Sequence, residues 1–270
     1  MAPRTDFPPV RACIFDMDGL LLNTEDLYTD AINTILARYS RPTMPWTLKA
    51  RLQGRPGPAA NKLMSDWAQF PVPESQWQAE NAEEQKKLFP NAAPLPGVED
   101  LLAKLGASEH VEVALATSSH GGNFKLKTSH IEELFSVFPQ ERRVLGDDTR
   151  IAPGRGKPLP DIFLLALQTI NDTLPAGSTP ITPEECLVFE DSVPGVEAGR
   201  RAGMRVVWCP HPKLREVYQG RDEEILAGRM GEAEVGEGEH GGVLGEIGDG
   251  WAELIETLEG FDYSRYGIKV

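Results

Sequence analysis

The feature that most constrains this chain is a set of short apolar runs that stop abruptly at polar residues. Cys13-Ile14-Phe15 runs into Asp16, Val111–Ala116 into Thr117-Ser118-Ser119, and Cys186–Phe189 into Glu190-Asp191-Ser192; Arg205–Cys209 is a fourth run. Runs this brief, partly β-branched or aromatic, are the pattern of strands buried on both faces of a parallel sheet. Helical patterns over Val98–Leu105, Asp161–Ile170 and Gly195–Ala202 lie between them. The alternation predicts an α/β fold built on a doubly wound parallel sheet. In such sheets ligands bind beyond the carboxyl ends of the strands, which is where these polar residues stand.

Residues 23–93 break the alternation. They are helical in pattern, rich in Ala, Gln, Glu and Trp, and end in the punctuation Asn91-Ala-Ala-Pro-Leu-Pro-Gly97. The expectation is a small α-helical cap inserted between the first and second strands, above the carboxyl edge of a core made of residues 1–22 and 94–270. Gly231–Gly250, dense in Gly and Glu, is expected to be a solvated, mobile loop. Trp251–Leu258 is expected to resume helix. No internal repeat is visible.

Composition narrows the function. With 270 residues, 40% hydrophobic and 25% charged, the chain can bury a sizeable core. No run approaches the roughly 18 apolar residues of a membrane span, and Met1–Val10 lacks the apolar stretch of a secretory signal. Cys13, Cys186 and Cys209 are widely spaced, against a disulfide framework or a thiolate zinc site. A cytoplasmic protein that makes no membrane contact is expected. The net charge is −14, and the stretch from Arg221 to Gly260 carries twelve acids against two bases. That balance disfavours nucleic acid, whose binding rests on neutralising phosphates. It leaves room for an anionic small molecule received by a local cationic pocket.

The strand ends carry the chemistry. Asp16 and Asp18, two residues apart where a strand runs out, point to the same side, and Gly19 lets the backbone turn behind them. Two such carboxylates suit a hard divalent cation, or a nucleophile paired with an acid/base; the alternative is a polar turn capping the next helix. An EF-hand is excluded, because the Gly comes two positions early and no Glu occupies the twelfth position. Thr117-Ser118-Ser119 offers hydroxyls and N–H groups for a phosphate, with a plain N-cap at Ser119 as the alternative. Glu190-Asp191 would complete a magnesium site with Asp16. In Gly156-Lys157-Pro158-Leu159-Pro160-Asp161, the two prolines stiffen the entry to a helix and hold Lys157 in place.

Taken in order, Asp16-Met-Asp18-Gly19, Thr117-Ser118, Lys157 and Glu190-Asp191 resemble the four motifs of the haloacid dehalogenase-like hydrolases. The resemblance covers nearly the whole chain, apart from the Gly/Glu-rich loop and the first eight residues. It implies a Rossmann-like core, and the helical insertion resembles the small cap of the subgroup that holds β-phosphoglucomutase and many sugar-phosphate phosphatases. The runs IFDMDGLLLNTEDLY, ALATSS, VLGDD, GKPLPDIF and CLVFEDSVPGVEAG are similar to those of the pseudouridine-5′-phosphatases.

The resemblance implies a Mg2+-dependent phosphatase acting on a small phosphorylated metabolite, a nucleoside or sugar monophosphate, as a monomer. Asp16 would take the phosphoryl group as an aspartyl phosphate. Asp18 would protonate the leaving alkoxide, then help water attack, and its backbone carbonyl would ligate the metal. Asp16 and Asp191 would complete the protein ligands, with Glu190 as a further ligand or a support behind them. Thr117 and the Ser118 N–H would hold phosphate oxygens, and Lys157 would offset the charge on Asp16 and the phosphoryl group. Burial under a closed cap would raise the pKa of Asp18, so that it starts protonated.

Many relatives carry Asp where this chain has Asn23, which is expected to N-cap the first cap helix with Asp26 in its first turn. The resembling mutase carries a His early in its cap that gates the general acid; Tyr28 stands at the matching position, which favours hydrolysis over a phosphomutase. Dehalogenase relatives lack the second acid, which is present here as Asp18. A non-catalytic phosphometabolite-binding protein would have lost a catalytic group, and none is lost. Within the cap, Arg55 in Gly54-Arg55-Pro56-Gly57 reads as a substrate contact or a surface turn. Tyr28, Trp67 and Trp77 read as base-stacking or core residues, and His120 as a solvated turn residue.

Overall fold

A computed structural model describes residues 3–230 and 241–270. Its centre is a six-stranded sheet of β1 (Ala12–Phe15), β2 (Glu112–Ala116), β3 (Arg143–Val144), β4 (Cys186–Glu190), β5 (Arg205–Trp208) and β6 (Ala252–Leu254). The spatial order is β3-β2-β1-β4-β5-β6, and every pairing is parallel. This is a doubly wound, Rossmann-like order, and it reverses direction beside β1. Ala12 and Ile14 face one apolar layer with Ala114, Ala116 and Val188. Cys13 and Phe15 face the other with Val113, Leu115, Leu187 and Phe189. The period-two alternation of a strand thus feeds two cores, and the sequence shows unbroken apolar runs because neither face meets water.

The segment between β1 and β2 contains α1 (Thr24–Arg38), α2 (Trp46–Leu52), α3 (Gly57–Ala68) and α4 (Glu74–Leu88). These helices share a hydrophobic cluster of their own, in which Ile32, Ile35 and Leu36 of α1 meet Met64 and Trp77. Spacing of three and four along α1 makes that face. Glu25 and Asp26 in the first turn and Arg38 in the last suit the helix dipole. Asn23 does not cap α1 through its side chain. Its Oδ1 instead accepts the Ala93 N–H (2.8 Å), and its own N–H donates to the Ala93 carbonyl (3.0 Å). The two chain crossings are thereby stitched together, and the amide is spent there rather than on the helix.

The rest of the sheet is flanked by α5 (Val98–Ala107), α6 (Gly121–Thr128), α7 (Glu132–Phe135), α8 (Asp161–Asp172), α9 (Val193–Arg201), α10 (Pro212–Val217) and α11 (Asp222–Leu226). One expectation fails toward the end of the chain. Ala252–Leu254 is a strand rather than a helix, because the edge of the sheet beside β5 captures it. The described part of the Gly/Glu-rich stretch, residues 241–250, forms no helix or named strand, as expected of a loop, and three arginines bond to it. Arg201 donates to the Gly241 carbonyl (2.6 Å), Arg229 to the Gly245 carbonyl (2.5 Å), and Arg200 pairs with Asp249 (2.5 Å). Residues 231–240 of that stretch lie outside the described residues. All three thiols are free; Cys13 and Cys186 are buried, and burial pushes Cys209 up to about 12. Among the described residues no helix is long and apolar enough to cross a membrane.

Candidate active site

The reversal in strand order sets the carboxyl ends of β1, β2 and β4 side by side. Asp16 prolongs β1, its N–H donating to the Phe189 carbonyl (3.0 Å), so its side chain leaves the sheet beside Glu190. The chain then closes a tight loop, with Leu21 and Leu22 N–H groups returning to the Met17 carbonyl (3.0 and 3.1 Å). Gly19 takes φ +80° in that loop; a Cβ there would fall 2.7 Å from Glu25 Cγ, 3.0 Å from Asp191 Cγ, and closer still to Asp191 Oδ2. The glycine is therefore what lets Asp191 approach the β1 loop. Trp208 Nε1 fixes Asp191 from behind through its carbonyl (2.9 Å).

Lys157 joins the three strand ends. Its side chain is fully buried, and Nζ donates to Asp16 Oδ1, to Glu190 Oε1 (2.7 Å) and to the Ala116 carbonyl (3.1 Å). Glu190 Oε2 accepts from the Asp191 and Ser192 N–H groups (both 2.9 Å) and from Ser192 Oγ (3.0 Å). Both Glu190 oxygens are thus taken by protein donors. Ser192 in turn caps α9, accepting the Gly195 N–H (3.1 Å).

The electrostatics show a deficit of positive charge. Burial raises Asp16 to about 7; Lys157 pulls it down, while Glu190 and Asp18 push it up further. Burial, with Glu190, Asp16 and Glu25 nearby, lifts Asp191 well above the ordinary aspartate range. A bound cation would relieve both. Among the described residues no three His, Cys, Asp or Glu side chains gather into a ready-made cage. The donors at these strand ends are oxygens, and Mg2+ takes one or two carboxylates and keeps water or substrate oxygens. Asp16, Asp191 and a backbone carbonyl fit that donor set.

Asp18 departs from expectation. Burial pushes its pKa upward, but the Lys127 ammonium and the Ser119 and Thr24 hydroxyls outweigh it and hold the carboxyl below its usual value. Lys127 is fully buried and donates to Asp18 Oδ1 (2.5 Å), Ser119 Oγ (2.7 Å) and Tyr28 OH (2.7 Å). The sequence reading missed this lysine. The available signal was its place three residues after Phe124 and beside buried Thr128, on the inward face of α6.

Thr117 is fully buried; its N–H goes to the Val144 carbonyl (3.0 Å) and its Oγ1 accepts the Ser119 N–H (3.1 Å). Ser118 Oγ donates to the Gly54 carbonyl, between α2 and α3 (3.0 Å). Ser119 is not the N-cap of α6. That place belongs to His120, whose Nδ1 accepts the Asn123 N–H (3.3 Å). His120 is thus an exposed capping residue at the rim of the cavity, as solvated as the sequence suggested.

A cavity of 410 Å³ opens between the sheet and helices α1–α4, with Asp16, Asp18, Thr117 and Ser118 on one side and Tyr28 and Asn81 on the other. Arg55 lines it too, its Nε donating to the Arg51 carbonyl (2.7 Å). Trp77, 2% exposed and stacked on Phe70 at 5.0 Å, belongs to the packed interior of the helices, and Trp67 packs there as well. Gln53 was also missed; it reaches from the end of α2 to donate to Asp191 Oδ2.

A family model described as a haloacid dehalogenase-like hydrolase matches residues 10–203. The chain is 39% identical to a probable pseudouridine-5′-phosphatase of Saccharomyces cerevisiae, over 96% of this chain and 98% of that one. It is 37% identical to a mitochondrial (DL)-glycerol-3-phosphatase of Arabidopsis thaliana, over 79% of this chain and 68% of that one. Its fold resembles a hydrolase from Entamoeba histolytica with a TM-score of 0.64 at 17% identity, covering 95% of this chain and 97% of that one.

Proposed function

The chain belongs to the haloacid dehalogenase-like hydrolases and is a phosphoric monoester hydrolase; on that premise we propose that it dephosphorylates a nucleoside or sugar monophosphate, pseudouridine 5′-phosphate among the candidates, through an aspartyl phosphate on Asp16. The observation that carries this reading is the buried contact of Lys157 with Asp16 and Glu190 where β1, β2 and β4 end.

A phosphate monoester dianion repels a carboxylate nucleophile, so the site must cancel charge before Asp16 can approach phosphorus. Lys157 does part of this from the side of the nucleophile, and Glu190 holds Lys157 there. The Thr117 hydroxyl and the Ser118 N–H receive the phosphoryl oxygens. Asp16 and Asp191, with the Asp18 carbonyl, would hold Mg2+, which when bound shields the transferring oxygens and adds electrostatic stabilisation. Asp18 delivers a proton to the departing oxygen and later takes one from the attacking water. In the state described it is a carboxylate; the charge of an arriving phosphate pushes its proton affinity back upward, and it takes from solvent the proton that it then delivers. The helices over residues 23–93 act as a cap domain on a core formed by 1–22 and 94–270, with Arg55 and Tyr28 facing the leaving group. Tyr28 is engaged by Lys127 and lies within 3.3 Å of Ser119. A phenol so bound is a poor proton gate, which supports hydrolysis over transfer back to sugar.

The test is turnover of p-nitrophenyl phosphate and a panel of nucleoside, sugar and glycerol phosphates, with and without Mg2+, using Asp16→Asn as control. The reading expects magnesium-dependent release of phosphate that the variant abolishes. Magnesium-independent turnover, or an unimpaired variant, would overturn it.

A further inference from the structure

We propose that Lys127 is a positioning residue for Asp18, carrying the closed arrangement of the cap to the carboxylate that handles the leaving-group proton. The inference rests on the phosphatase reading above and adds to it a residue outside the four motifs.

Both oxygens of Asp18 are held. Oδ1 accepts from Thr24 Oγ1 (2.6 Å) and from Lys127, and Oδ2 accepts from Ser119 Oγ (2.6 Å). The carboxylate cannot turn without breaking one of these contacts. Lys127 stands at the centre of the network, because it touches Asp18, Ser119 and Tyr28 at once. Tyr28 lies on α1, and Phe89 directly follows α4. Their rings cover the ammonium at 4.4 and 4.7 Å from its nitrogen. The rings themselves meet edge to face at 4.8 Å.

The cation is therefore enclosed by core groups on one side and cap groups on the other. A buried ammonium needs every one of its partners. If the cap lifts, Lys127 loses the phenol and both ring faces together and water reaches it, so its hold on Asp18 loosens. A cap that is down keeps the carboxylate aimed. The two buried lysines thus have separate tasks, Lys157 beside the nucleophile and Lys127 beside the acid/base.

A purely structural ion pair would look the same in a static picture, so the test compares two esters. p-Nitrophenolate leaves without needing a proton, whereas glycerol alkoxide does not. kcat/KM reads the steps through departure of the leaving group, and general acid catalysis is worth about 10²–10⁴-fold. Lys127→Met should lower kcat/KM on glycerol phosphate by about 100-fold or more, and by less than about tenfold on p-nitrophenyl phosphate. Lys127→Arg should restore part of the difference. Tyr28→Phe, which keeps the ring and removes only the hydroxyl, should shift the alkyl-to-aryl ratio in the same direction by a smaller factor, and it serves if Lys127→Met fails to fold. Equal losses on both esters, or no loss on either, would overturn the proposal. Wild-type protein that hydrolyses neither ester would instead overturn the phosphatase reading beneath it.

Discussion

Gly19→Ala should damage the site far more than the fold. Two costs can be separated. The first is backbone: at φ +80° an L side chain costs roughly 1–2 kcal/mol. At about 2–4 °C per kcal/mol for a chain of this size, the melting temperature should fall by about 2–8 °C. The second is crowding, because the new Cβ would lie 2.7 Å from Glu25 Cγ and nearer still to the Asp191 carboxylate. Relief requires Asp191 to retreat by about 1 Å, and a misplacement of that size can cost about 100-fold in rate. Gly177→Ala is the control, since Gly177 has φ +87° with nothing within 4 Å of its Cβ position. It should show the same drop in melting temperature and no loss of activity. The assay is thermal melting alongside kcat/KM on p-nitrophenyl phosphate across a magnesium titration. Gly19→Ala should lose about 100-fold and need more Mg2+ to saturate. Wild-type kinetics in Gly19→Ala would refute the claim that this glycine admits Asp191 to the metal site.

Metal-free protein should be less stable at high pH than at low pH on account of these acids. Asp16 is raised to about 7, so the folded state binds a proton that the unfolded chain has released, and stability declines as pH rises from about 4 through 7. Added Mg2+ should then raise the melting temperature more at pH 8 than at pH 5.5; equal shifts would contradict the charge argument. Trp77→Ala, at a position 2% exposed in the hydrophobic cluster of α1–α4, should cost about 3–5 kcal/mol in urea unfolding. Arg55→Ala should raise KM for nucleoside or sugar phosphates and leave p-nitrophenyl phosphate nearly unchanged; an equal effect on both would remove Arg55 from leaving-group recognition.

What the sequence revealed follows from where periodicity is clean. β1, β2, β4 and β5 were legible because they are buried on both faces, and the first three also run into chemistry-bearing residues. β3 has two residues, too few for any pattern. β6 is half-exposed and pairs only with β5, and its local sequence reads as helix until the sheet edge competes for it. Asp16, Asp18, Lys157, Glu190 and Asp191 could be named because each sits where a strand ends or a rigid turn begins. Lys127 could be placed on the inward face of α6, but its role could not be read, since Tyr28 and Asp18 lie 99 and 109 residues away along the chain and only the fold unites them. The direction of the Asp18 shift was misjudged for the same reason: burial was foreseeable, and the buried cation opposing it was not.

The most direct measurement is to quench the wild-type protein in acid during turnover of a phosphate ester and map the phosphoryl group by peptide mass. It should be found on the peptide that carries Asp16, and be absent from Asp16→Asn. A phosphoryl group on another residue, or sustained turnover by Asp16→Asn, would contradict the account.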